Sequence, residues 1–139
     1  MKKNWFALAF ITMVLFSAVF ILYRKIGELS ISSELMFVYY FGISTIILLF
    51  YFLYNQIPMT VSKTAFLWIL VAAIIGVVGN VLLSNSLRLS PNPGYALAVI
   101  GLNTLVVAIA SIFIFKSEFT LVKGIGAILA IIGVILLGL

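Results

Sequence analysis

The carboxylates of this 139-residue chain are Glu28, Glu34 and Glu118, and neither histidine nor cysteine accompanies them. All three lie in polar connections or at helix starts, outside the long apolar runs. Without an imidazole, a thiol or a buried acid, no nucleophile, base and orienting group can be assembled. The usual nitrogen and sulfur metal ligands are missing as well. The sequence therefore predicts no enzyme, no metal and no cofactor, and it gives no embedded glutamate on which to build proton exchange.

The remaining candidates are neutral. Asn80 and Asn103 stand inside apolar runs. Each amide has two donors and an acceptor, none of which hydrocarbon satisfies. Such a group is expected to meet another helix, a water-filled cavity or a ligand. An interhelical bond of about 0.6 to 2 kcal/mol competes with a solute contact.

These residues are positioned by elements that must lie in a bilayer. The chain is 65% hydrophobic and 8% charged, with a mean hydropathy of +1.38. A soluble domain carries about 25% charged residues, so the composition predicts an integral membrane protein. The net charge of +5 comes from Lys and Arg at the ends of apolar runs. This predicts membrane orientation and lipid contact rather than nucleic-acid binding. The opening stretch is positive and apolar, but it is longer than a signal peptide's core and reads as a retained first span.

Five spans are expected in one all-α domain covering 1–139, at about 5–23, 34–54, 65–87, 94–115 and 122–139. Trp5 and Tyr23 are the expected interfacial anchors of the first. Ser33 is the expected N-cap of the second, with Glu34 in its first turn. Pro58 ends any helix in the next connection, and Ser62 can cap the third span. In "SPNPG", Asn92 is placed to cap the fourth span and Pro93 to be its first residue, where a missing N–H costs nothing. Ser117 or Thr120 can cap the fifth.

Small residues recur along these spans: Ala72, Gly76, Asn80 and Ser84 on the third; Gly101, Thr104, Ala108 and Ser111 on the fourth; Gly126, Ala130 and Gly133 on the fifth. Close helix packing is their first expected use. Tyr40, Ser44 and Tyr51 share a face of the second. With the N-terminus inside, Lys2, Lys3, Lys63, Lys116 and Lys123 are cytosolic, and Arg24, Lys25 and Arg88 lie opposite. Five against three favours that orientation.

From about Arg24 to its end the chain resembles a single EamA repeat of the drug/metabolite transporter superfamily. The resemblance rests on the run from Asn80 onward: the tight "SPNPG" loop, a long helix, "KSEFT" with Glu118 and Thr120, and a last helix carrying Gly124, Gly126 and Gly133. The family's usual mid-span proline in the fourth helix is replaced by Asn103, so a proline kink is not implied.

The resemblance implies half of a ten-span transporter architecture. It also implies a small-solute (metabolite or drug) transporter in a bacterial or archaeal inner membrane, working by alternating access. Because relatives combine two repeats of opposite orientation, this chain would act as a homodimer or with a homologous five-span partner. Asn80, Ser84, Tyr40 and Asn103 are the implied cavity-lining residues. The competing expectations are a non-transporting scaffold or regulatory subunit and a lipid-intermediate flippase subunit, whose basic headgroup site could be built only from Arg24, Lys25 and Arg88.

Overall fold

The computed structural model describes residues 4–116 and 120–138. They form helices only, with no strand among the described residues: α1 (Asn4–Glu28), α2 (Ser33–Tyr54), α3 (Lys63–Leu89), α4 (Pro93–Gly101), α5 (Asn103–Phe115) and α6 (Leu121–Gly138). Ser117 and Glu118, and with them the cap and the loop acid expected there, lie outside the described residues, as do Lys2, Lys3 and the side chain of Trp5.

Local chemistry explains most boundaries. Helix α1 runs past Tyr23 because its next turn is self-supporting. Glu28 lies 3.8 Å from Arg24 at i,i+4 and 3.2 Å from Lys25 at i,i+3. Ser30 then turns left-handed, with φ of 61°. The hydroxyl that caps α2 belongs to Ser32, which accepts from the Leu35 N–H at 3.3 Å. This corrects the expectation for Ser33, which is the first helical residue and is buried. Ser62 caps α3 by accepting from Ala65 N–H at 3.2 Å. Asn92 caps α4 by accepting from Gly94 N–H at 2.8 Å, with Pro93 in the first turn.

The expected fourth span is two helices, not one continuous helix. The interruption is at Leu102, between Gly101 and Asn103. No proline causes it. Leu102 N–H bonds to Val99 carbonyl three residues back at 3.1 Å, and Thr104 Oγ donates to Gly101 carbonyl at 2.9 Å. A tightened turn, a glycine and a hydroxyl bonding back to the backbone together interrupt the ladder.

The chain divides into two compact units, residues 1–88 and 89–139. In the first, the buried residues are Tyr23, Ser33, Met36, Phe37, Ser84 and Leu87. In the second, α6 packs on α4. Nearly every other large apolar side chain is exposed, for example Phe6, Ile21, Phe50, Trp68 and Phe113. Water would not tolerate a surface of that kind, whereas acyl chains cover it. Hydroxyls on the same helices bond to their own backbone: Thr12 to Leu8 carbonyl at 2.9 Å, Ser17 to Met13 at 2.8 Å and Thr45 to Phe41 at 2.8 Å.

Four segments are long and apolar enough to cross a membrane: Phe6–Glu28, Ser33–Tyr54, Lys63–Leu89 and Pro93–Phe115. The apolar part of α6, Gly124–Leu137, is shorter. The protein is thus an all-helical, multi-pass integral membrane protein with four long apolar segments and one short one.

Candidate functional site

The polar chemistry of the first unit gathers at one end, where α1 finishes, α2 begins and α3 finishes. The last turn of α3 leaves backbone carbonyls without helical partners, and their dipoles make that end negative. The Arg24 guanidinium from α1 donates to the carbonyls of Leu87 and Arg88. One side chain therefore caps α3 and fastens it to α1. Its Nε also faces Glu28, whose other oxygen meets Lys25 Nζ at 3.2 Å.

Gly27 lies beside this contact. A Cβ there would stand 2.7 Å from Arg88 Cγ and 2.8 Å from its Cδ. Only a residue without a side chain lets the Arg88 stem lie so close.

Just inside this clasp, Ser33 Oγ is 3.0 Å from Ser84 Oγ and 2.8 Å from Asn85 Oδ1. A hydroxyl has one proton. The shorter contact takes it toward the amide oxygen, leaving the Ser84 hydroxyl to donate to Ser33. Both serines are buried, so these bonds replace water that neither group can reach.

Deeper still, rings close the bundle. Tyr23 meets Phe37 edge-on at 5.2 Å and Tyr40 at 5.6 Å, and Phe37 stacks with Phe41 at 5.6 Å.

The four residues expected to line a cavity fall in different settings. Ser84 and Tyr40 belong to this closed end, Ser84 in the serine contact and Tyr40 in the ring cluster. Asn80 is part-buried, and its amide nitrogen donates to the Gly76 carbonyl one turn back at 2.7 Å. Its own helix thus satisfies one donor, where another helix, a cavity or a ligand was the expected partner. Asn103 opens α5 at the interruption, exposed, and its side chain makes no hydrogen bond among the described residues.

The sequence offers Ser33 only as a cap and Arg24 only as an orientation charge or a headgroup ligand, and it gives no sign of Asn85 or Gly27. Only pairs 51 to 64 residues apart reveal their roles, so no local signal could have found them. The packing expected of the glycine stripes is also absent from the described residues. A Cβ at Gly76, Gly101, Gly126 or Gly133 would meet nothing within 4 Å.

No ligand-like cluster of His, Cys, Asp and Glu occurs among the described residues. The arrangement can bind and position neutral polar groups, and it can hold helices together at one end.

No curated protein and no solved structure gives a significant match to this chain. The profile of the EamA-like transporter family matches residues 3–139. That match spans nearly the whole sequence, and it agrees with the helical architecture and its exposed apolar surface and with the resemblance carried by the loops. The chain belongs to the EamA-like transporter family, as a single EamA-like repeat of the drug/metabolite transporter superfamily.

Proposed function

We propose that this chain is a half-transporter for small metabolites or drugs, working by alternating access as an antiparallel dimer with itself or with a homologous repeat. The observation that carries the proposal is the family match over residues 3–139. It sits in a bacterial or archaeal inner membrane with its N-terminus inside in the favoured orientation, and all five apolar segments span.

The site supports this reading in two ways. The end of the first unit is closed by the Arg24 clasp, the Ser33–Ser84–Asn85 contact and the ring cluster, as one state of an alternating-access carrier requires. Asn103 offers a mid-span amide without a hydrogen-bond partner among the described residues, at an interrupted helix. Interrupted membrane helices recur at substrate sites because they bring unsatisfied polar groups to the bilayer midplane. Asn80, Ser84, Tyr40 and Asn103 line the path, with Ser84 and Tyr40 reached when the clasp opens.

One observation favours the scaffold-subunit reading instead. Asn80 donates to its own helix and Ser84 is buried in a hydrogen bond, so two of the four candidates are engaged within the chain.

Reconstitution of the purified chain alone into liposomes separates the two. The carrier reading predicts uptake of at least one solute from a panel of small amines, amino acids and sugars. Replacing Asn103 with Leu should lower that uptake at least tenfold in a variant that still folds. No uptake across the panel, from the chain alone or co-reconstituted with a homologous five-span repeat, would favour the scaffold.

A further inference from the structure

We infer that the open pocket between the last turns of α1 and α3, formed by Arg24, Gly27, Glu28 and Arg88, binds an anionic phosphate group through Arg88. This inference does not depend on transport.

The pocket has a volume of about 240 Å³. The cleft is open to the outside and wide enough to admit a tetrahedral phosphate.

The guanidiniums at its edge have different duties. Arg24 holds the α3 carbonyls and faces Glu28. Arg88 makes no side-chain hydrogen bond or ion pair among the described residues, and its head is exposed. Its stem lies over Gly27, with Nε 3.3 Å from where a Cβ would stand, so the bare glycine backbone seats it. A seated stem presenting a planar fork suits two oxygens of one phosphate, a geometry that a lysine cannot reproduce.

Charge agrees. Arg24, Lys25 and Arg88 outnumber Glu28, and they still exceed Glu28 and Glu34 together. The Glu28 carboxylate is already engaged by Arg24 and Lys25, which reduces its repulsion of an incoming anion. The site also ends two apolar spans, at the depth where phosphodiester headgroups lie. The same chemistry would accept a lipid headgroup or a water-soluble phosphate ester.

The test is the unfolding midpoint of the purified full chain in neutral detergent. One arm adds short-chain phosphatidylglycerol against phosphatidylcholine of equal chain length. The other adds inorganic phosphate against chloride at equal ionic strength. Wild type should gain several degrees in at least one arm. A gain from phosphatidylglycerol alone identifies the headgroup as the source, and a gain from phosphate identifies the soluble ester.

The gain should vanish in Arg88→Gln, fall by half or more in Arg88→Lys and persist in Lys63→Gln, which removes a charge at the other end of α3. Gly27→Ala, which displaces the Arg88 stem, should lose it as well. No gain in either arm, or an equal gain in wild type and Arg88→Lys, would overturn the inference.

Discussion

The two ends of the α1–α3 unit are built on opposite principles. At one, Tyr23, Ser33, Phe37, Ser84 and Leu87 are buried and polar groups bond across helices. At the other, toward Phe6, Phe50 and Phe66, the large side chains are exposed. Hydroxyls on the lipid-covered lengths, such as Thr12 and Thr45, bond only within their own helix.

The contrast follows from the solvent. Acyl chains are as apolar as leucine, so greasy faces gain little by meeting each other. Helices are fixed where hydrogen bonds and close-fitting shapes give protein contacts an advantage over lipid. One secured end and one exposed end suit the proposed carrier, which must open and close.

The largest way to break this contrast is to remove the clasp. Arg24→Ala should destabilise the protein by about 3 kcal/mol, since it deletes charge-assisted bonds to two carbonyls and leaves both without their partner. Reversible unfolding in mixed micelles would measure this, and a loss below about 1 kcal/mol would mean the carbonyls are satisfied by water instead.

Ring truncation sharpens the comparison. Phe37 is 2% exposed and Phe50 is 69% exposed. Phe37→Ala should cost about 2 kcal/mol, mainly the cavity contribution at about 24 cal/mol per Å³, while Phe50→Ala should cost far less. Equal losses would erase the distinction between the ends.

Smaller effects are expected at single hydrogen bonds. Ser33→Ala should cost about 1 kcal/mol, within the range of interhelical bonds in membranes. Asn92→Ala should cost about the same through loss of the α4 cap, without altering which solutes are carried. A changed solute profile in a stable Asn92 variant would place that loop in the path.

The smallest effect is expected at Gly76. Because a Cβ there meets nothing within 4 Å, Gly76→Ala should be neutral or stabilising by up to about 1 kcal/mol. A clear loss would reveal a partner helix against this face.

What the sequence disclosed was local. Ser62, Asn92 and Pro93 act within three residues of their own positions, so type and spacing identify them. Ser32 and Ser33 are adjacent serines, and which one caps depends on where the chain enters the helix. The clasp was hidden because Arg24 and its acceptors are more than sixty residues apart. Gly27 lies outside the expected first span, and what requires a glycine there is Arg88, more than sixty residues further on. The interruption at Leu102 escaped notice because no proline marks it. Of the candidate site, residue types were legible, but how each amide and hydroxyl is satisfied was not.

The most direct test of the proposed antiparallel half-transporter is its orientation in the membrane. Two fusions to the C-terminus, one to a reporter active only in the cytosol and one to a reporter active only outside, would count both populations. Comparable signals from the two are expected, because an inverted pair made from one chain needs both orientations. The charge difference of five to three is small enough to permit them. Signal from the outside reporter alone, in a cell with no homologous five-span partner, would contradict it.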